Sequence, residues 1–324
     1  MTGRFLVRRV LSLLITLFII ITVIFFLFRV LPGDAADYLV DPLSSEELKT
    51  TVRKQLGLDR PILVQYGLYL LNLVKGDLGN SFVYGRPVST LVVTALLNSL
   101  PLVVITWFIA YFVGGFIGVL FAWKRGSIFE KVGSLLVLII RGAPPFWIGL
   151  MLVYLFALYL GWFPESGMHA GIRGEGDILA LWFSSEFPRY LILPVMTASI
   201  YSLALPLLLM RGSMLDVLHE DYLDLARAKG LKEWVVIFRH GARNALLPMV
   251  AQSGTYLGWA VGGLVTIEVV FAWPGMGRLI AYALLSRDFP LAQGAFVGIA
   301  LLVMLLYLVV DFLIPLLDPR AELE

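Results

Sequence analysis

Cysteine is absent, so the chain can form no disulfide and offers no thiolate to a metal. Histidine is almost as scarce, and His169, His219 and His240 are too scattered to suggest a ligand set. Charged residues make up only 15% of the chain, and a net charge of +2 is too small to point to nucleic acid. The pattern G-x-x-x-x-G-K-[ST] does not occur either, so the phosphate-cradling loop of an ATPase is missing. Any ATP-derived energy must come from another chain.

Apolar side chains are what the sequence has in abundance. They account for 59% of 324 residues, with a mean hydropathy of +0.87, far above that of soluble domains. This is the composition of an all-α integral membrane protein. A hydrocarbon core about 30 Å thick needs roughly 20 apolar residues in helical form, because lipid offers no partner to an unpaired backbone group. Six segments qualify: 10–28, 100–123, 132–159, 190–210, 247–271 and 291–313. The first is longer than the apolar region of a secretory leader, about 7–15 residues, and is read as a retained helix. Residues 1–30 are therefore expected to be a short amino-terminal segment and the first span, and 317–324 a tail.

Lys and Arg counted over the short connections set the orientation. Arg4, Arg8 and Arg9 precede the first span; Lys124, Arg125 and Lys131 follow the second; Arg211, Arg227, Lys229, Lys232, Arg239 and Arg243 follow the fourth. The opposite connections hold only Arg173 with Arg189, and Arg278 with Arg287. Both termini are thus expected on the cytoplasmic side. The polar segment 31–98 falls on the outer side, with turn signals at Pro32-Gly33-Asp34 and Asp59-Arg60-Pro61. It reads as a folded extracytoplasmic segment. Within it, Ser44 with Glu47 forms a capping box for a short helix ending at Gly57.

Two intramembrane features stand out. Ala110, Gly114, Gly118 and Ala122 recur every four residues and make a smooth ridge for close helix approach, either within the bundle or at a subunit interface. In the third span, which Ser127 with Glu130 is placed to start, Arg141-Gly142-Ala143 runs into Pro144-Pro145, so a charge coincides with a helix break. Arg141, Pro144 and Pro145 are candidate pathway residues. Alternatively, Arg141 satisfies carbonyls freed by the prolines, or snorkels to the headgroups.

The most polar stretch between spans is DYLDLARAKGLKEWVVIFRHGARNALLP, residues 221–248. Residues 221–229 suit a short helix with acid first and base last, Gly230 is its natural stop with an expected positive φ, and a second helix can begin at Lys232. Trp234, Val235, Ile237 and Phe238 supply an apolar ridge beside the small Ala226 and Ala228, suited to docking into a groove of another protein. A connector lying on anionic headgroups is the other possibility.

Here the sequence resembles the cytoplasmic EAA loop of permease subunits in ATP-driven (ABC) importers. Asp224-Leu225-Ala226 stands where that motif has Glu-Ala-Ala, Gly230 where it has its glycine, and Leu247-Pro248 where it closes. The likeness continues through FLFRVLPGDAA, LGLDRPILVQYGLYLLNLVKGDLGNSF, PPFWIGL, EVVFAWPGMGRL, RDFPLAQG and LLDPR, in the order found in the dipeptide/oligopeptide (nickel) permease family, and in the first (B-type) of its two permeases.

That resemblance implies a type I importer permease fold, a core over residues 99–316 with a coupling loop at 215–246, and a place in a prokaryotic cell membrane. It also implies partners: a second homologous permease, two ATP-binding subunits that hold ATP and Mg, and an extracytoplasmic solute-binding protein. No cofactor is expected in this chain, and no catalytic residue. Asp221, Asp224, Ala226, Arg227, Gly230 and Leu231 are the expected ATPase contacts. Glu268, Trp273, Pro274, Gly275, Gly277 and Asp288 are expected at an external rim or plug, with an interfacial anchor as the other reading of Glu268. Imported solutes in such a family include peptides, nickel chelates, glutathione and oligosaccharides, and nothing in this chain selects among them. A secondary transporter would carry several intramembrane acids, whereas Asp311 is the main one here. A non-transporting scaffold is the remaining rival.

Overall fold

The structure, a computed structural model, describes residues 3–30, 50, 54, 58–169 and 178–317. The capping-box segment Ser44–Gly57, the turn at Pro32-Gly33-Asp34, Arg173 and the tail lie essentially outside that range. Among the described residues the protein is helical, and the one strand-like pairing is an isolated bridge between Asn80 and Pro87.

The helix Gly3–Val30 contains the first expected span, Val88–Trp123 the second and Phe289–Leu317 the sixth. All three are long and apolar enough to cross a bilayer. The third expected span is two helices, Ile128–Gly142 and Pro145–Tyr159, bent by 102° at the proline pair. Neither proline has an N–H to donate, and Ala143 before them takes extended backbone at ψ 138. The fourth, expected to be continuous, is also broken: Phe187–Ser202 meets Ala204–Val217 at 41°. Its cause is Pro206, whose missing N–H and ring both fall against the carbonyl four residues back, that of Ser202. With each bent pair taken as one span, up to five membrane crossings are present among the described residues. The helix Ala242–Val270 spans 29 residues and contains the fifth expected segment up to its last residue.

The described residues fall into two compact units, one formed by the chain up to Asn98 with Gly275–Met304, the other by Ser99–Pro274 with residues from Leu305 onward. In the first unit, Ile21, Ile24 and Phe28 pack with Val88, Val92, Met276, Ile280 and Leu291. The apolar helix Ile62–Val74 begins after Pro61 and lays Tyr66 and Tyr69 on the fully buried Phe25, with ring centroids 5.2 and 5.3 Å away.

In the second unit the small-residue ridge is an internal packing surface. A side chain added at Gly118 would meet the Leu207 carbonyl oxygen at 2.6 Å and Met210 Cβ at 2.8 Å; one at Gly114 would meet the Leu203 oxygen at 3.0 Å. Backbone therefore rests on backbone along this line, with Ala110 and Ala122 buried at either end. Replacing Gly118 with Val is expected to destabilise the protein by about 1–3 kcal/mol, the range for overpacking, toward its upper end because the obstructing atoms include backbone. Thermal unfolding of the purified protein in detergent checks this, and an unchanged midpoint would contradict the contact.

Candidate coupling site

The polar stretch folds as the sequence suggests, into a short elbow. The helix Asp221–Ala228 carries Asp221 and Asp224 in its first turn and Arg227 in its last, matching the helix dipole. It ends in a Schellman turn: the Gly230 N–H donates to the Arg227 carbonyl at 2.9 Å and the Leu231 N–H to the Ala226 carbonyl at 3.4 Å. Gly230 takes φ +77°, the left-handed conformation that favours glycine. The chain then restarts at Glu233 as one short turn, Glu233–Val235, and continues as a wide π turn over Val236–Gly241 into the helix Ala242–Val270.

An ion triad stiffens the bend. Arg227 reaches Asp224 at 2.7 Å within its own helix and Glu233 at 3.2 Å across the turn. Hydrogen bonds that Arg227 donates to Glu233 and then to Asp224 raise its pKa still further, so the guanidinium stays charged throughout the physiological range. The Asn244 side-chain amide donates to the Tyr222 hydroxyl at 2.8 Å, tying the elbow to the helix that follows it.

Packing divides the expected docking residues. Leu223, Ala226 and Val236 are buried together against Val217 and Leu218, and Ile237 is buried among Met210, Met214 and Ala245. Ala226 is thus inside the elbow and offers no contact surface. Phe238 also turns inward, its ring 5.5 Å from Phe116 and 6.3 Å from Trp123. Facing outward are Leu225 and Trp234, each 58% exposed, Leu231 at 41%, and the carboxylates Asp221 and Asp224. Spacing alone had joined Trp234 to Ile237 and Phe238 as one ridge, whereas only Trp234 remains on the surface. Leu225 was available as a signal, since the helix period places it opposite the buried Leu223 and Ala226.

One polar joint was not anticipated as such. Ser127 caps the helix Ile128–Gly142 by accepting from the Glu130 N–H at 3.2 Å, as its position suggested, while the Glu130 carboxylate receives Arg211. Arg211 donates through Nε at 3.0 Å and Nη2 at 2.7 Å to one oxygen of Glu130, a carboxylate that is 7% exposed; the other oxygen accepts from the Gly126 N–H at 3.3 Å. Arg211 lies on Ala204–Val217, the helix that leads into the elbow. At the opposite end of Ile128–Gly142, the Arg141 guanidinium stacks 4.6 Å from the centroid of the Tyr201 ring, so the breaks of two bent pairs adjoin at this contact.

Most of the residues expected at an external rim or plug are buried. In the second unit, Glu268 is 1% exposed and accepts from the Ser99 hydroxyl at 2.6 Å, Trp273 is fully buried 5.9 Å from the Phe187 ring, and Pro274 is half-buried. In the first, Gly275 and Gly277 are buried, as is Asp288. The resemblance implied a rim or plug here; the large Trp and the acids, the latter with hydrogen-bond donors at hand, turn in.

Asp288 is an internal staple. Its carboxylate accepts from the Ser81 hydroxyl at 2.5 Å, the Val83 N–H at 3.1 Å and the Leu291 N–H at 3.2 Å, so one side chain both caps the last helix and fixes the turn at 81–87. Replacing Asp288 with Ala leaves three buried or half-buried donors unpaired and is expected to cost roughly 2–4 kcal/mol. Hydrogen exchange of the 81–86 amides should rise together with a lower unfolding temperature; protected amides in that variant would refute the staple.

Comparison with known proteins identifies the family. Residues 114–323 match the family described as binding-protein-dependent transport system inner membrane component, and residues 2–102 match the amino-terminal family of the same membrane components. A probable peptide ABC transporter permease of Sinorhizobium fredii is 35% identical, covering 99% of both chains. A putative peptide transport permease of Brucella melitensis is 34% identical over the full length of both, and a glutathione transport permease of Salmonella choleraesuis is 34% identical over 98% of this chain and 99% of its own. Among solved structures, the inward-facing methionine ABC transporter MetNI superposes with a TM-score of 0.56, covering 70% of this chain and 96% of that one, at 16% identity. That likeness extends the type I importer permease fold to this chain. On these grounds the chain is a transport subunit and not an enzyme: it belongs to the inner-membrane components of binding-protein-dependent transport systems, the permease subunits of ABC importers.

Proposed function

We propose that the chain forms half of a translocation pathway for short peptides or peptide-like solutes, paired with a second homologous permease and driven by two ATP-binding subunits gripping the elbow at 221–241. The carrying observation is the elbow itself. Its outer face presents Leu225, Leu231, Trp234, Asp221 and Asp224, while its inner face is locked to the helices on both sides by Val236, Ile237 and the Tyr222–Asn244 bond. A grip on such a surface moves both flanking helices, which is what conversion between inward-open and outward-open states requires. Asp221, Asp224, Arg227, Gly230 and Leu231 act as contact or bend, and Ala226 as the packing residue beneath them.

In this reading the chain crosses a prokaryotic cell membrane six times with both termini inside, residues 31–98 face outward, and a binding protein delivers the solute. The relatives named for peptide and glutathione transport support a substrate with peptide chemistry over sugars or metal chelates. Among the described residues no group of three or more His, Asp or Glu could hold a metal, and the proposed role needs none. Arg141 remains the candidate pathway cation: the cation–π contact holds it at the bend beside Pro144 and Pro145. Arg141→Gln should lower peptide uptake several-fold with insertion unchanged; unchanged uptake would assign the arginine to helix structure alone.

The test of the function is uptake of short peptides and of glutathione into vesicles containing the whole assembly, under ATP and separately under an ion gradient alone. ATP-dependent uptake requiring the binding protein supports the proposal. Uptake driven by the gradient alone would overturn it in favour of a secondary transporter, and no uptake under either would favour a scaffold.

A further inference from the structure

The helix Ile62–Val74 contains no charged side chain, and none of its 13 residues is buried. At about 1.5 Å per residue it is roughly 20 Å long, too short to cross a hydrocarbon core of about 30 Å. An apolar helix of this length belongs either to a protein core or to one leaflet of a membrane, and the lack of buried residues removes the first choice. Tyr66, Tyr69, Leu70 and Leu73 turn toward the rest of the first unit. The other side presents Leu63, Val64, Leu68, Leu71 and Val74, all exposed, at the spacing of a helix face. A helix lying on headgroups would set a charged face against water, and this one has none.

Contact with the first helix fixes the level at which it lies. That helix is uncharged from Val10 to Phe28, about 28 Å, a match to the hydrocarbon thickness, with Arg8 and Arg9 before it and Arg29 after it. The Tyr66 hydroxyl lies 2.6 Å from that of Thr22, and its ring is 5.2 Å from Phe25 and 5.6 Å from Phe26. Thr22 is two helical turns, about 10 Å, inside Arg29. Sliding the first helix far enough to lift Tyr66 into water would draw Arg8 and Arg9 into hydrocarbon, where a cation is costly. The helix Ile62–Val74 therefore stands beside the third of the span nearest Arg29. Its polar groups are satisfied as that level demands. Thr22 donates to the Phe18 carbonyl at 2.7 Å, so the Tyr66 hydroxyl donates to Thr22. Pro61 brings no N–H to the helix start, and the Gln65 amide donates to the carbonyls of Leu58 at 3.2 Å and Arg60 at 2.8 Å. At the far end the Gly76 N–H donates to Leu73 at 3.0 Å and the Asp77 N–H to Asn72 at 2.9 Å, which closes a Schellman turn. Arg60 and Lys75, exposed at the two ends, are long enough to reach headgroups.

We infer that the helix Ile62–Val74 is embedded in the leaflet at the Arg29 end of the first span, with Leu63, Val64, Leu68, Leu71 and Val74 against lipid acyl chains. This rests on the first helix crossing the bilayer and not on the importer reading. Under the orientation proposed above that leaflet is the outer one. Part of segment 31–98 then belongs to the membrane and is withdrawn from the water in which a binding protein docks.

The absence of cysteine makes the test direct, because a single spin label can be attached at Leu68→Cys or Leu71→Cys, with Asp59→Cys as the water-exposed reference and the cysteine-free chain as the blank. The labelled chain, in its complete assembly in lipid nanodiscs, is exposed to dissolved oxygen, which concentrates in lipid, and to a water-soluble nickel chelate. Relative to the reference, labels at Leu68 and Leu71 should collide several-fold more with oxygen and several-fold less with the chelate. Chelate collisions at the reference level would place the helix in water, and low collisions with both probes would mean that protein covers it; either result overturns the inference. A second measurement compares Leu71→Asp with Leu71→Phe. The aspartate variant should reach the membrane as assembled protein in several-fold lower amount, whereas on a helix in water it would be the better tolerated of the two, and equal amounts would also overturn the inference. Neither measurement involves transport, so a failure of ATP-driven uptake bears on the importer reading alone.

Discussion

Gly230→Val is expected to reach the membrane and assemble normally while losing ATP-driven uptake by roughly tenfold or more, the factor that 1.4 kcal/mol commands. At φ +77° a side chain strains the backbone by about 1–2 kcal/mol, more when it is β-branched. Nothing lies within 4 Å of where its Cβ would sit, so the penalty is conformational and contains no clash. The chain relieves that strain by opening the Schellman turn, which frees the Leu231–Ala226 bond and rotates the Glu233–Val235 turn relative to the Asp221–Ala228 helix. Leu225 and Trp234, both exposed, then change position relative to one another. Gly230→Asn is the graded control, because asparagine tolerates left-handed backbone better than other side chains, and it should retain more uptake than Val. ATP hydrolysis and uptake measured together separate the possibilities. Hydrolysis that persists without uptake is the expected signature, and normal uptake by the Val variant would remove the elbow from the mechanism.

Breaking the joint between Arg211 and Glu130 should have the second largest effect. Removing one partner of a buried pair leaves an uncompensated charge, at roughly 3–5 kcal/mol; with Arg211 29% exposed, solvent relieves part of this and about 2–3 kcal/mol is expected for Arg211→Gln. Glu130→Gln should cost less, because its amide oxygen can still accept from Arg211, although the amide nitrogen in place of the second oxygen cannot accept from the Gly126 N–H. Combining both changes should recover part of the loss, and a double-mutant cycle measures the coupling directly. The joint also has a transport role open to test. It ties the helix bearing Arg141 to the helix that enters the elbow, so the single variants should lose uptake beyond their loss of folded protein. Uptake falling only in proportion to folded protein would reduce the pair to a structural brace.

Local chemistry made much of this legible beforehand. The cap at Ser127, the stop at Gly230 and the close-packing ridge through Gly114 and Gly118 all follow from what a few neighbouring residues can do with their own backbone. The 41° break in the fourth span was equally available, because Pro206 removes the bond to Ser202 wherever the helix lies; apolar content alone hid it. The union of Glu130 with Arg211 was out of reach, since 81 residues separate them and only tertiary packing brings them together. The burial of Trp273 was out of reach for the same reason, since it depends on Phe187 in a distant helix. Ala226 is a smaller instance, a small residue that fits a docking face and a packed interior equally well until Val236 is seen beside it.

The meeting of Gly114 and Gly118 with the carbonyls of Leu203 and Leu207 has a mechanical implication. Side chains interposed between helices can change rotamer and absorb a displacement of an ångström or so, whereas main chain seated on main chain has no such slack. A shift imposed on Ala204–Val217 therefore passes to its glycine-lined neighbour at full amplitude, and the pair should travel as a single stiff body during the transport cycle.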